Sequence, residues 1–137
     1  MEISGGCLCG AVRYTASEPP VVARTCLCRR CQYLGGGGGT SNALFKSASV
    51  KVEGALSDYV TRADSGNILH CKFCTACGTP VTSQAESRPQ FIVIRLGTLD
   101  DPDCIRPSAT IWTSAAPSWI CIAEDLPRIE GQPPLVK

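Results

Sequence analysis

The sequence lacks the features that draw a protein to nucleic acid, to a membrane or into the secretory pathway. Lys and Arg total 13 against 12 Asp and Glu, so the net charge of +1 provides no long-range attraction to polyanions. No stretch approaches the ~20 apolar residues of a membrane-spanning helix. The segment Met1 to Gly6 has neither the basic nor the apolar region of a secretory signal. We therefore predict a cytoplasmic protein that binds neither nucleic acid nor membranes.

Histidine is almost absent, and its scarcity excludes several kinds of catalytic site. His70 is the only histidine in the chain, and Lys72 stands two positions after it. The zinc deaminase pattern requires a glutamate at that position, so this class is excluded. A Ser-His-Asp triad would also have to use His70, which we expect instead to lie beside a strand.

Helical periodicity longer than a couple of turns is absent as well, and the texture of the chain is all-β. Short runs rich in β-branched and aromatic residues are separated by Gly, Pro, Ser and Asp, which is typical of strands and turns. These runs cover residues 11–14, 21–25, 50–53, 59–62 and 91–96. We predict one all-β domain over residues 1–137. The five glycines from Gly35 to Gly39 cannot pack a core and predict an exposed, flexible loop.

Cysteine, in contrast, is abundant, with ten residues in 137. Clustered cysteines in a reducing compartment indicate metal binding or redox chemistry, and a secreted disulfide scaffold is disfavoured because a signal is missing. Eight of the cysteines form the groups Cys7-x-Cys9, Cys26-x-Cys28-x-x-Cys31 and Cys71-x-x-Cys74-x-x-Cys77. Spacings of one or two residues allow thiolates to converge on one zinc ion. The isolated Cys104 and Cys121 are predicted to be buried small hydrophobic side chains.

Two cysteine pairs share a feature that predicts a common metal site. Cys9 and Cys77 are each followed directly by a glycine, which suits a turn that folds around a metal. The pairs Cys7/Cys9 and Cys74/Cys77 would supply four thiolates and leave no position open for chemistry, so this site would be structural. A ferredoxin-type cluster is disfavoured because Val81 stands where that pattern requires the next cysteine.

The remaining compact group predicts a second metal site of a different kind. Cys26, Cys28 and Cys31 supply three thiolates, and a tetrahedral zinc with three protein ligands keeps its fourth position for water or substrate. We interpret this site as catalytic, with the loop that begins at Gly35 placed to cover it. In the alternative interpretation, Cys71, Cys104 or His70 provides a fourth ligand and closes the site.

The charge of such a site favours thiol chemistry. Zinc with three thiolates has a formal charge of −1, which makes it a poor Lewis acid for hydrolysis but able to ionise an incoming thiol. The predicted reaction is therefore the addition of a small-molecule thiol to a small electrophile, or its reverse. Arg29 and Arg30 can offset the charge or bind a substrate carboxylate, or they are solvated surface residues. Arg30 and Gly35 are the predicted substrate-binding positions beside the cysteines.

Several segments spread over almost the whole chain carry a family resemblance. They are Gly5 to Tyr14, Cys26 to Gln32, Phe73 to Pro80, Leu99-Asp100, Pro107, Ile111-Trp112 and Trp119. Together they closely resemble the glutathione-dependent formaldehyde-activating enzyme family. The resemblance implies an all-β, tent-like zinc-binding fold of several small antiparallel sheets.

The same resemblance implies two zinc ions per chain and a carbon–sulfur lyase activity. A structural zinc would be bound by Cys7, Cys9, Cys74 and Cys77. A second, catalytic zinc on Cys26, Cys28 and Cys31 would accept a thiol such as glutathione, which is joined to formaldehyde as S-hydroxymethylglutathione. The contrasting hypothesis is a non-catalytic zinc module that binds a protein partner or handles metal.

Overall fold

The computed structural model describes residues 2–63 and 65–137, and these residues form mostly strands. The strands are β1 (Ile3–Gly6), β2 (Arg13–Ala16), β3 (Val22–Cys26), β4 (Thr40–Lys46), β5 (Val50–Glu53), β6 (Leu56–Arg62), β7 (Ile68–Cys74), β8 (Pro80–Ala85), β9 (Phe91–Arg95), β10 (Thr110–Ile111) and β11 (Arg128–Ile129). One α-helix, α1 (Arg29–Leu34), follows β3, and short 3-10 helices cover Ser47–Ser49, Leu96–Thr98 and Thr113–Ala115. No helix in the described part of the chain is long and apolar enough to cross a membrane.

The strands form two sheets, and the prediction of an all-β fold with several sheets is confirmed. The smaller sheet has the order β1-β2-β5 and is antiparallel throughout. The larger has eight strands in the order β11-β10-β3-β4-β9-β8-β7-β6. Its members are antiparallel except for β10, which lies parallel to both β3 and β11. The larger sheet is thus more extensive than the small sheets expected.

Most of the sequence runs coincide with observed strands, because they are rich in the β-branched and aromatic residues that favour strands. The run 50–53 is β5, and the run 91–96 covers β9 with one extra residue. The run 11–14 begins two residues before β2. The only α-helix in the described residues is six residues long, in agreement with the missing helical periodicity.

Buried side chains from both sheets pack into one hydrophobic cluster. Tyr14 from the smaller sheet lies in it with Phe45, Val81 and Ile94 from the larger sheet, and each of these is at most 2% exposed. Burial of these side chains removes apolar surface from water, which is the main stabilising contribution to a fold. The cluster therefore sets the position of the smaller sheet on one face of the larger one.

Polar contacts fasten the smaller sheet at the turn that follows β9. The buried hydroxyls of Tyr14 and Thr98 are hydrogen-bonded at 2.7 Å. Ser4 donates to Asp100 at 2.8 Å, and Arg13 forms an ion pair with the same carboxylate. The Arg13 guanidinium and then the Ser4 hydroxyl lower the pKa of Asp100 to about 2. These bonds hold the hairpin that carries Cys7 and Cys9.

The prediction that the two isolated cysteines are buried is wrong, because both are exposed. Cys104 lies in a turn in which its N–H donates to the carbonyl of Asp101, and three acidic residues in the segment 100–103 keep this turn in water. Cys121 directly follows a turn closed by the Ile120 N–H and the Pro117 carbonyl. Neither cysteine lies on a strand, so neither has a sheet face against which to be buried.

His70 lies on β7 and bridges two carboxylates. Its Nδ1 lies 2.7 Å from Asp58 on β6, and its Nε2 lies 2.9 Å from Glu86 after β8. Because both ring nitrogens face carboxylate oxygens, the arrangement favours the doubly protonated imidazolium. The hydrogen bonds to Asp58 and then Glu86 raise the pKa of His70 above its ordinary value.

The close approach of the two sheets yields a stability prediction at Gly5. A methyl group there would clash with the Thr98 carbonyl oxygen and with the hydroxyl of Tyr14, so Gly5→Ala should destabilise the protein by about 1–3 kcal/mol. The matched control is Gly97→Ala, because an added methyl there meets no atom within 4 Å. Chemical denaturation measures both variants, and equal stabilities would contradict this account of the sheet contact.

The bridged histidine yields a prediction about pH. A raised folded-state pKa makes the His70 contribution complete below the unfolded pKa of about 6.5, and this contribution is lost as the pH rises through the folded pKa. The stability difference between the wild type and His70→Gln should therefore decrease as the pH is raised. Chemical denaturation at a series of pH values measures this difference in unfolding free energy. For Glu86→Gln, the difference from the wild type should change less with pH. A difference independent of pH would contradict the prediction.

Candidate functional site

Four cysteines from distant parts of the chain form the first cluster. The sulfurs of Cys7, Cys9, Cys74 and Cys77 all lie within 4.8 Å of one another. Cys7 and Cys9 are 3.6 Å apart, and Cys9 and Cys74 are 3.8 Å apart. A tetrahedral zinc with Zn–S bonds of about 2.3 Å separates its sulfurs by roughly 3.8 Å. The cluster can therefore hold a metal ion with little rearrangement.

The two halves of this cluster have the same backbone turn. Gly10 and Gly78 have φ angles of 81° and 77°, a left-handed conformation that glycine adopts readily. The N–H of Gly10 donates to the carbonyl of Cys7 at 3.1 Å, and that of Gly78 donates to the carbonyl of Cys74 at 2.9 Å. Each glycine thus closes a turn that directs two sulfurs to one point.

Hydrogen bonds to the sulfurs prepare the first cluster for metal. The Val12 N–H donates to the Cys7 sulfur at 3.2 Å. The Thr79 hydroxyl lies 3.1 Å from the Cys77 sulfur, and with the Thr79 backbone it lowers the pKa of Cys77 to about 5. The same hydroxyl accepts a hydrogen bond from Leu8 at 3.2 Å, which links the two halves of the cluster. Thiolates are the form in which cysteine binds metal.

The second cluster contains Cys26, Cys28 and Cys31, whose sulfurs also lie within 4.8 Å of one another. Cys26 ends β3, Cys28 is the N-cap of α1, and Cys31 lies in its first turn. The Cys28 sulfur accepts a hydrogen bond from the Cys31 N–H at 3.4 Å. The strand end and the start of the helix therefore direct all three sulfurs to the same point.

Among the described residues, no further side chain completes this cluster as a fourth ligand. Within them, no other cysteine, histidine or carboxylate group lies within 4.8 Å of all three sulfurs. Cys71 is buried on β7, Cys104 is exposed in its turn, and His70 is bonded to two carboxylates. All three candidates for a closing ligand thus lie elsewhere.

The electrostatics of the three thiols fit a cation. Hydrogen bonds from the Cys26 and Cys31 thiols lower the pKa of Cys28 to about 2. The hydrogen bond with Cys28 raises the pKa of Cys26 well above its ordinary value. If Cys26 ionised as well, its thiolate would face the Cys28 thiolate at short range. A dication placed among the sulfurs removes this repulsion and allows all three to ionise. The donor set is therefore suited to zinc or a similar soft ion.

An aromatic residue in an unusual conformation borders the second cluster. Trp112 has a φ of 57° and is the one non-glycine residue with positive φ in the described ranges. It packs against the cysteine cluster with Ile111 and Ile129, and its Nε1 donates to Gln132 at 3.0 Å. Left-handed backbone in a bulky residue costs free energy and is concentrated at functional sites.

The two arginines next to the cysteines are engaged with protein groups. Arg29 donates to the side-chain oxygen of Gln32 and lies over the ring of Tyr33, 5.0 Å from its centre. Arg30 donates to the backbone carbonyl of Arg62 at 3.1 Å. Neither contact involves a group of the cysteine cluster, so a substrate role for Arg30 stays a prediction.

The glycine loop is held closely at both ends. The N–H of Gly35 donates to the Cys31 carbonyl at 2.9 Å and ends α1. A side chain at Gly35 would clash with the Gly39 carbonyl, and one at Gly39 would clash with that of Cys26. Between them, Gly36 and Gly38 are exposed, with open space around their α-carbons. The loop thus packs its ends against the cluster and exposes its centre.

A groove of about 230 Å³ adjoins the second cluster on one face of the larger sheet. Cys26 and Arg24 from β3 line it together with Asn42 from β4 and Arg95 from β9. Residues 134–136 of the C-terminal tail form one of its walls. The sequence analysis did not single out Arg24, Asn42 or Arg95. The sequence pattern could have identified Arg24, because it lies two residues before Cys26 on a predicted strand and therefore shares the face of Cys26.

Comparisons with known proteins add to this geometry. The family model described as glutathione-dependent formaldehyde-activating enzyme matches residues 2–115. A crystal structure of a protein from Rhodobacter sphaeroides superposes with a TM-score of 0.55 at 23% identity, covering 76% of this chain and 91% of that chain. At this identity the likeness shows a shared fold. No curated protein matches the chain significantly.

Proposed function

Since the chain belongs to the glutathione-dependent formaldehyde-activating enzyme family, we propose that it is a zinc-dependent carbon–sulfur lyase. It joins a thiol such as glutathione reversibly to an aldehyde such as formaldehyde, at the cluster of Cys26, Cys28 and Cys31. The cytoplasm, predicted from the sequence, is the compartment in which these thiols would stay reduced.

The observation that carries this proposal is the three-sulfur cluster at the end of a groove. Three ligands from the described residues leave a tetrahedral ion one position for a substrate atom. Zinc bound there would ionise a thiol that takes this position, which supplies a nucleophile at neutral pH. Cys26 lines the groove, so a ligand bound there would lie beside the cluster.

The reaction needs little further chemistry from the chain. The substrate sulfur forms a bond to the carbonyl carbon, the carbonyl π electrons move to the oxygen, and the proton lost by the thiol ends on that oxygen. In the reverse direction the carbon–sulfur bond breaks and the carbonyl forms again. Trp112 and Ile111 border the cluster with apolar surface, which limits the access of water to the reacting sulfur.

For the first cluster we propose a structural zinc. Its four sulfurs complete a tetrahedral set, so no position remains for a substrate. The pairs Cys7/Cys9 and Cys74/Cys77 belong to turns beside β1 and after β7, and these strands lie in different sheets. Metal bound there cross-links the two sheets and contributes its binding free energy to folding.

The two sites lead to a prediction of metal content. Elemental analysis of protein purified without added metal should give about two zinc ions per chain, and about one in Cys28→Ser. Cys104→Ser is the matched control, because Cys104 is exposed and outside both clusters, and it should retain both ions. One ion per chain in the wild type and in Cys28→Ser would contradict a metal at the second cluster.

Turnover is the direct test of the proposed activity. Exchange of ¹³C-formaldehyde with its glutathione adduct, followed by NMR, should be faster with the wild-type protein than without it. Cys28→Ser should reduce the rate to the uncatalysed level, because two sulfurs cannot hold the ion in the required arrangement. Cys104→Ser should retain the full rate. No acceleration by zinc-loaded wild type, with two ions bound, would favour the non-catalytic zinc module instead.

A further inference from the structure

The groove beside the three-cysteine cluster has positive charge without a matching negative charge. Arg24, Arg88 and Arg95 line it, and no Asp or Glu does so. In the described part of the chain, neither Arg24 nor Arg95 belongs to an ion pair. Guanidinium groups gathered in a concave site attract anions, and they bind carboxylates through two parallel hydrogen bonds.

Strand register places these arginines at a defined position relative to the cysteines. Arg24 lies two residues before Cys26 on the same face of β3, a separation of about 7 Å. Arg24 pairs with Asn42 on β4, and Asn42 pairs with Arg95 on β9. Arg24, Asn42 and Arg95 therefore form one row across three adjacent strands, next to the cluster.

Arg95 is held in place and retains an unused donor. Its Nη1 donates to Asn42 Oδ1 at 2.6 Å, and Asn42 donates in turn to the Thr40 hydroxyl at 2.9 Å. The buried Nε of Arg95 has no hydrogen-bond partner among the described residues. A buried donor without an acceptor is costly, so an acceptor that reached it on ligand binding would remove this cost.

The third arginine of the groove already has partners. Arg88 donates to the backbone carbonyl of Val136 and lies 4.8 Å from the centre of the Phe91 ring. This contact places a peptide segment of the tail along the same sheet face. Arg24 and Arg95 are thus the arginines left for a ligand.

We propose that Arg24 and Arg95 bind carboxylate groups of the thiol substrate, so that the site selects an acidic peptide thiol over a neutral one. This inference rests on the proposed function, because it takes the cysteine cluster as the place at which the thiol reacts. Glutathione meets the requirement, since carboxylates stand at both ends of an extended chain with the thiol between them. The arginine row then determines specificity, and the cysteines determine chemistry.

Binding of S-methylglutathione to the full-length, zinc-loaded protein tests the proposal. This ligand has both carboxylates but no free thiol, so its affinity reports on the groove. Isothermal titration calorimetry should show an affinity at least about tenfold weaker in Arg24→Gln and in Arg95→Gln. Arg106→Gln is the control, because Arg106 is exposed, is paired with Asp125 and lies outside the groove. It should bind as the wild type does.

Removing charge from the ligand tests the same contact from the other side. The diethyl ester of S-methylglutathione should bind the wild type at least about tenfold more weakly, and Arg95→Gln should weaken it little further. Arg24 makes no side-chain hydrogen bond within the described residues, so Arg24→Gln keeps the test valid if Arg95→Gln fails to fold. Unchanged affinity in the folded arginine variants, equal affinity for the ester, or no binding by the wild type would overturn the proposal.

This measurement is independent of turnover because it uses neither aldehyde nor free thiol. Binding that depends on the arginines, without formaldehyde exchange, would support the carboxylate subsite and contradict the lyase activity. Formaldehyde exchange together with binding that does not depend on the arginines would support the lyase activity and contradict the carboxylate subsite. In an active enzyme, Arg24→Gln should raise the KM for glutathione with little change in kcat.

Discussion

The convergence of four sulfurs from residues 7–9 and 74–77 is the constraint on which the rest of the structure depends. Sulfurs at separations such as 3.6 Å and 3.8 Å repel one another when ionised, so the arrangement is stable only with a cation or with shared protons. The four sulfurs can converge only if the smaller sheet packs against the larger one. The Tyr14–Thr98 hydrogen bond and the Arg13–Asp100 ion pair hold that position from the protein side.

The same physical constraint acts at the second cluster but with a different outcome. Three sulfurs collect there from the end of β3 and the start of α1, and the described residues add no fourth ligand. These three ligands are close in sequence, so the cluster forms without contact between the two sheets. It therefore has no need to cross-link them and is available to bind a ligand. A closed four-sulfur set suits stability, whereas an open three-sulfur set suits exchange of a ligand.

The groove links this site to the charge of the chain as a whole. The net charge of +1 conceals a local excess of arginine on one face of the larger sheet. Such an excess would offset the negative charge of three thiolates around one dication, and it would attract the proposed acidic ligand. Arg29 and Arg30, which stand next to the cysteines in sequence, are occupied with Gln32 and Arg62, whereas Arg24 and Arg95 face the groove.

Local rules in the sequence determined the strand runs at 11–14, 21–25, 50–53, 59–62 and 91–96, the cysteine groups and the two glycine turns, since each depends on neighbouring residues alone. Spacing also identified Cys7, Cys9, Cys74 and Cys77 as one set, because Gly10 and Gly78 mark the same turn. Tertiary structure alone decided which residues meet across strands: the row from Arg24 to Arg95, the carboxylates around His70, and the exposure of Cys104 and Cys121. Those contacts depend on strand order and register, which arise from packing of the whole core and leave little trace in any single segment.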